Sequence, residues 1–299
     1  MPHDAGPGVL AFDIGGSTTH AVWMVGETIR AETVVGSANI SSVGMSEAGR
    51  QLDRALAGLG RPDRVDVVFA GSAGADTPVR LGRLRDLLAG RFPAARIGVV
   101  HDAELVLAAA GLADGIVAIS GTGCVAWGRR GDRTTRSGGW GHLLGDEGAG
   151  YGIARAAVRG ALREVDDGCP PGELARRLAR VCDVDDVYDL LDAFYLRADP
   201  DYWAARAAVV FELADAGDDL AGRLVGDAAA ALGDLVIGVA GRLGRDLPVV
   251  CAGGQITHHD RFVELVRTTL AAAGIADVRV LAGDPVAGAI RLGRELLTR

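Results

Sequence analysis

With 299 residues, 49% of them hydrophobic and 23% charged, the chain can bury two cores of ordinary size and is composed as a globular protein, not a disordered one. A formal net charge of −8 argues against general nucleic-acid and membrane-surface binders, which need a basic face, though backbone N–H groups and a cation can still neutralise a nucleotide's phosphates. Lysine is absent, so arginine supplies all 31 basic side chains, and a lysine-dependent phosphate loop or a Schiff-base lysine is excluded.

In chain order, a first strand is expected at residues 9–12, followed by the turn Asp13-Ile14-Gly15-Gly16-Ser17. Further strands are expected at 18–25 and 28–35, a helix at 45–58, a buried strand at 65–70, a helix at 78–89 and a strand at 97–100 that ends at His101-Asp102. An Ala- and Leu-rich helix runs from there to about residue 110. The pattern then starts again, with a strand at 115–120, the turn Gly121-Thr122-Gly123, and strands at 124–128 and 134–137. A long helical region at 150–242 is expected to break near Gly168 to Pro171 and near Asp199-Pro200. The chain closes with a strand at 249–251, the pair Gly253-Gly254, a helix from Phe262, a strand near 278–281 and a helix from Pro285.

The recurrence of Ala11-Phe12-Asp13-Ile14-Gly15-Gly16-Ser17 as Ala118-Ile119-Ser120-Gly121-Thr122-Gly123 reads as a duplicated α/β unit with a cleft between its halves. The first domain is expected at residues 1–112, completed by the C-terminal helix at 285–299, and the second at 113–284. Cys124, Cys169, Cys182 and Cys251 form no CxxC pair and read as reduced thiols. The N-terminus lacks a basic start followed by an apolar run, and Gly, Asp or Arg interrupts the longest apolar stretches short of a membrane span. A cytoplasmic protein without a membrane partner is therefore expected.

Three glycine-rich turns, each directly after a buried strand, suggest phosphate and nucleotide contacts. Gly15 and Gly16 would admit phosphates, Ser17 and Thr18 would add hydroxyls, and Asp13 could hold Mg²⁺. The competing view of this segment is an ordinary glycine hairpin. Gly121, Thr122 and Gly123 would grip the phosphates from the second half, and Gly253 and Gly254 would offer a backbone edge to adenosine. Asp102, at the carboxyl end of a strand, is placed to accept a proton from an attacking hydroxyl, with a helix cap as its competing role. The run from Gly138 to Gly150 surrounds one Trp, one His and two acids with glycines, which is poor core material. In it Trp140 could wall a sugar face, Asp146 could accept from hydroxyls, Glu147 fits an acidic first helical turn, and His142 reads as structural. His258-His259 reads as a solvated helix start, and the acidic run from Asp183 to Asp192 as a solvated helix face.

Together these elements resemble the N-acetylglucosamine kinase and BadF/BadG/BcrA/BcrD ATPase family, within the superfamily of actin, hexokinase and heat-shock chaperone ATPases. The resemblance covers nearly the whole chain and is most specific at Gly139-Trp140-Gly141-His142 and Gly145-Asp146-Glu147-Gly148. It implies two actin-like, ribonuclease H-like domains and ATP and Mg²⁺ as cofactors. It also implies transfer of the γ-phosphoryl group to a hydroxyl, expected to be the 6-hydroxyl, of an amino sugar, by a homodimer. In this resemblance Ser17 and Thr122 contact phosphates, and Asp102 is the general base. Asn39, Asp102, Cys124, Gly139, Trp140, Gly141 and Asp146 line the sugar. One departure stands out: Cys124-Val125 replaces the Ser-Asn often found after the second Gly-Thr-Gly, removing two polar sugar contacts. Gly36-Ser37-Ala38-Asn39 also looks like the corresponding stretch of bacterial glucosamine kinases. The alternatives weighed are a glucosamine kinase, an ATPase activator of a radical dehydratase, which would cluster its cysteines around an iron–sulfur centre, and a non-catalytic sugar-binding regulator.

Overall fold

The computed structural model describes residues 6–75 and 77–298. The chain forms two compact units, Met1–Ala113 with Leu281–Arg299, and Asp114–Val280.

In the first unit, β1 (Gly8–Ile14), β2 (Thr18–Val25) and β3 (Thr28–Gly36) form an antiparallel meander. After α1 (Ile40–Gly58) the chain returns as β4 (Val67–Ser72), parallel to β1. Beyond α2 (Pro78–Ala89) comes β5 (Arg96–His101), parallel to β4, and then α3 (Asp102–Ala109). The sheet order is β3-β2-β1-β4-β5. Strand β1 is covered on both faces, which is why its sequence is nearly all apolar. Its side chains alternate between two cores: Leu10, Phe12 and Ile14 pack with Leu52, Leu84 and Leu88, whereas Ala11 joins Phe69, Leu105 and Ala289.

The second unit repeats the plan. Its strands are β6 (Gly115–Ser120), β7 (Cys124–Arg130), β8 (Arg133–Gly138), β9 (Val249–Ala252) and β10 (Val278–Val280). Their sheet order, β10-β9-β6-β7-β8, is that of the first unit read in reverse. Between β8 and β9 lies a helical insertion: α4 (Gly150–Asp166), α5 (Glu173–Cys182), a 3₁₀ turn (Val187–Asp189), α6 (Leu190–Leu196), α7 (Pro200–Asp215) and α8 (Asp219–Leu243). Helices α9 (Gly254–Thr257) and α10 (Asp260–Ala272) connect β9 to β10, and α11 (Val286–Thr298) completes the first unit. Among the described residues, α8 alone is long and apolar enough to cross a membrane. Its Val225, Leu232, Val236 and Val239 are buried in the second unit's core.

The structure departs from expectation in a few segments. Helix α1 begins at Ile40, because Asn39 caps it by accepting from the Ser41 N–H; Gly44, at φ 76° and ψ 167°, interrupts it, so helical periodicity becomes legible only from Met45. The acidic run is not a helix face. Asp183 ends α5 in a left-handed conformation (φ 58°), and Asp186 and Asp189 form a capping box on the 3₁₀ turn. The long helical region also breaks at Gly217-Asp218, where Asp218 caps α8.

Candidate functional site

In the first unit the β1–β2 hairpin is closed by Gly15 N–H donating to the Thr18 carbonyl at 2.8 Å. A Cβ on Gly16 would meet nothing within 4 Å, so glycine there leaves open space above the turn. Two bonds tie the next segment beneath the hairpin: the Ser37 hydroxyl donates to the Gly15 carbonyl and the Ala38 N–H donates to Thr19 Oγ1, both at 2.8 Å. Asn39 follows, buried, with its oxygen engaged in the α1 cap.

Asp13 lies opposite His20 in the β1–β2 ladder. Burial pushes its carboxyl up to about 7, the charges of Asp102 and Asp284 add to this, and His20 partly opposes it. His20 Nδ1 lies 2.9 Å from Asp284 and Nε2 lies 2.9 Å from Glu32. The Asp284 hydrogen bond outweighs burial and raises His20 above the usual imidazole range; reciprocally, His20 holds Asp284 low. Asp284 also accepts the Val286 N–H at the start of α11. Asp102 is the first residue of α3. The N-cap position expected of it belongs to His101, but Asp102 Oδ1 shares the work, accepting from the Ala103 N–H at 2.9 Å. Oδ1 is also 2.8 Å from His101 Nδ1.

In the second unit the Gly121–Gly123 turn sits on the start of α4, where the Gly121 and Thr122 carbonyls accept the N–H groups of Gly150 and Tyr151. These bonds replace the side-chain cap that Ala149 cannot give. Thr122 Oγ1 donates to Asp201 Oδ1 at 2.7 Å. Gly253 has φ 96°, and a Cβ there would lie 2.5 Å from the Ser120 carbonyl oxygen, so only glycine lets the chain leave β9 this close to β6. Gly254 opens the one-turn helix α9, which the sequence did not announce.

The loop after β8 carries Gly138, Gly139 and Gly141 at φ between 70° and 83°. Trp140 is 63% exposed, with the Arg136 guanidinium 4.3 Å from its ring centroid. Asp146 is only 9% exposed and has φ 66°, a conformation that costs a non-glycine residue about 1–2 kcal/mol. Its Oδ1 accepts the Cys124 N–H at 2.9 Å, and a Cβ on Gly123 would sit 2.8 Å from its Oδ2. Burial raises the Asp146 carboxyl, and the Cys124 N–H only partly counters this. The Cys124 thiol, pushed up to about 12 chiefly by burial and next by Asp146, stays neutral.

Two expectations are corrected here, and a third stands. Glu147 precedes α4 instead of entering its first turn, and pairs with Arg155 at 3.3 Å. His259 is no solvated helix start: it stacks on Phe211 with ring centroids 3.7 Å apart, and burial lowers its pKa. His142 packs edge-on against Tyr151, in the structural role expected of it.

The structure thus gathers Asp13 and Asp102 in one unit, and Gly123, Cys124 and Asp146 in the other. Sequence reasoning missed His20, Asp284 and Asp201. The β1–β2 register could have revealed His20, since a tight hairpin sets it opposite Asp13; Asp284 and Asp201 are distant in sequence and carried no signal. Among the described residues no group of three or more His, Cys, Asp or Glu side chains is placed to hold a metal ion. Mg²⁺ nevertheless fits Asp13, because it binds through one or two carboxylates together with substrate phosphates, and the Asp102 and Asp284 charges, which add to burial in raising Asp13, are charge a cation would relieve.

A consequence for stability follows from Asp13. Between the ordinary carboxyl range and about pH 7 the folded chain holds a proton that the unfolded chain has released, so stability falls as pH rises through that window. Asp13→Asn should remove this fall: at pH 8 the variant should melt several degrees above the wild type, at roughly 2–4 °C per kcal/mol relieved. Differential scanning calorimetry at pH 5 and pH 8 without ligand checks it; an unchanged pH dependence would show that Asp13 does not hold the proton.

Comparison with known proteins follows the same lines. The pattern defining the BadF/BadG/BcrA/BcrD ATPase family matches residues 10–290. An N-acetylmuramic acid/N-acetylglucosamine kinase of Clostridium acetobutylicum is 36% identical over 167 residues, 53% of this chain and 54% of that protein. An N-acetyl-D-glucosamine kinase of Dictyostelium discoideum is 37% identical over 152 residues, 48% of this chain and 47% of its own. The matched region thus spans about half the length of these relatives. A solved structure of a candidate N-acetylglucosamine kinase from Porphyromonas gingivalis superimposes with a TM-score of 0.78 at 20% identity, covering 97% of this chain and 100% of that one. At that identity the likeness establishes the actin-like two-domain α/β fold.

Proposed function

The chain belongs to the BadF/BadG/BcrA/BcrD ATPase family, and from that membership we propose that it is an ATP-dependent kinase of amino sugars. The reaction is transfer of the γ-phosphoryl group to a hydroxyl, the 6-hydroxyl, of a sugar of the N-acetylglucosamine type. The observation that supports this assignment is that Asp13, near the end of β1, feels the charge of Asp102, which directly follows β5 of the same sheet.

In the first unit, the backbone at Gly15 and Gly16 and the hydroxyls of Ser17 and Thr18 bind phosphates, Asp13 holds Mg²⁺, and Asn39 contacts the sugar. Asp102 accepts the proton of the attacking hydroxyl; its link to His101 and the Ala103 N–H fixes the carboxylate before substrate arrives. In the second unit, Gly121, Thr122 and Gly123 contact phosphates, and Gly253 and Gly254 lie along adenosine. Cys124, Gly139, Trp140, Gly141 and Asp146 line the sugar. Bound Mg²⁺ supplies charge neutralisation at the phosphates. Because little covalent chemistry is asked of the protein, these residues act by positioning and by excluding water. Four free cysteines suit a reducing compartment, the cytoplasm, where the enzyme works as a homodimer on a small-molecule sugar, without nucleic acid or membrane.

The test is a phosphoryl-acceptor panel of N-acetylglucosamine, glucosamine, N-acetylmuramic acid, glucose and glycerol. ADP release dependent on an amino sugar, with a sugar 6-phosphate seen by ³¹P NMR, is expected. Comparable release with glycerol, or release indifferent to any acceptor, would overturn the assignment.

A further inference from the structure

Helix α4 grips the sugar loop on both sides of Asp146. Tyr151 and Arg155 stand one turn apart on the helix and so share a face. Both reach His142. The Tyr151 ring meets its imidazole edge-on, with centroids 4.9 Å apart, and Arg155 Nη1 donates to its carbonyl at 2.8 Å. On the other side of Asp146, Arg155 Nη2 lies 3.3 Å from Glu147 Oε1. One guanidinium therefore spans the loop from His142 to Glu147, with Asp146 between. The two contacts are unequal. The Glu147 side chain is 62% exposed, and ion pairs of that kind contribute little, whereas the bond to the His142 carbonyl is part-buried and charge-assisted.

We propose that Arg155 is the positioning residue of this loop, holding the segment from His142 to Glu147 so that the Asp146 carboxylate is presented to the sugar. The inference rests on the sugar-kinase reading above and deepens it. Asp146 sits at φ 66°, a conformation that the surrounding loop has to impose on it. A guanidinium suits the task because its N–H donors form a rigid fork that serves a carbonyl and a carboxylate at once; an ammonium is a single point charge. Arg155 also bears on the charge of Asp146. Burial raises the Asp146 carboxyl and the Glu147 charge adds to this, while the Cys124 N–H of β7, His142 in the loop and Arg155 on α4 oppose them.

The experiment compares the wild type with Arg155→Met, which keeps an aliphatic stem without charge or donors, and Arg155→Lys, which keeps the charge without the fork. Kinetics with N-acetylglucosamine at saturating MgATP are followed across pH, and MgATP affinity is measured by calorimetric titration. Arg155→Met should raise KM for the sugar ~10–10²-fold, the scale of a lost charge-assisted bond, while MgATP affinity stays that of the wild type. The acidic limb of its kcat/KM profile should move to higher pH, because the cation that favours the Asp146 carboxylate is gone. Arg155→Lys should keep the limb where the wild type has it and recover part of KM. An unchanged KM, an acidic limb that stays in place in Arg155→Met, or losses shared equally by sugar and MgATP would overturn the role of Arg155 and leave the kinase assignment standing. A wild type that phosphorylates no amino sugar would remove both.

Discussion

Asp102→Asn is expected to lower turnover ~10²–10⁴-fold, the usual scale for removing a general base, while MgATP binding stays close to that of the wild type. The amide has nearly the carboxylate's shape, and its oxygen can still accept from the Ala103 N–H, so the start of α3 should keep its cap. It cannot take the proton of an attacking hydroxyl. Removing the Asp102 charge should also relieve Asp13, whose carboxyl that charge helps to raise, so the variant should be no less stable than the wild type above pH 7. Steady-state kinetics with calorimetric titration of MgATP separates the two effects. A variant that kept most of its turnover would reduce Asp102 to a helix cap.

The fold was legible where a local rule and the tertiary structure agree. The buried strands β1, β4, β6 and β9 showed themselves as short apolar runs ending at or followed by a Gly or Ser, and α2 was bounded by Thr77-Pro78 at its start. The duplication was visible because both glycine turns follow strands that are buried on both faces. Legibility ended where small residues set boundaries by conformation and not by composition. Gly44 breaks α1 with a positive φ, Asp183 ends α5 in the left-handed region, and Gly217-Asp218 divides α7 from α8. Nothing in periodicity marks such residues.

The site was legible in its parts and not in its electrostatics. Asp13, Asp102 and Asp146 could be singled out because each stands beside a strand end or among glycines. That Asp13 shares its surroundings with Asp102, Asp284 and His20 depends on α11 returning to the first unit, an effect of topology. The same is true of Arg136: two residues before Gly138 it reads as one arginine among many, and only the fold of the loop lays it over Trp140.

The sugar loop makes its sharpest prediction at Asp146. Asp146→Asn should fold like the wild type, since asparagine tolerates φ near 66° and its oxygen can still accept the Cys124 N–H. Asp146→Ala should instead lose stability, because the buried Cys124 N–H is left unpaired at about 1–3 kcal/mol and alanine has no local hydrogen bond to offset the left-handed backbone. Against the sugar, both should fail. Asp146 is nearly buried with its Oδ1 held by the Cys124 N–H, so under the proposed role a substrate hydroxyl would bond its second oxygen. Charge-assisted bonds of this kind are worth roughly 1.5–3 kcal/mol, so Asp146→Asn should lose ~10–10²-fold in kcat/KM for N-acetylglucosamine. The wild type should reject the analogue lacking the partner hydroxyl by up to ~10⁴-fold, and the Asn variant should reject it far less, because a neutral amide is less costly to leave unpaired than a buried charge. Kinetics on a series of monodeoxy sugars identifies that hydroxyl as the position whose removal costs the wild type most and the variant least. If the two proteins lost activity in parallel across the whole series, Asp146 would be a strained structural residue holding Cys124, and the loop would not read the sugar through its carboxylate.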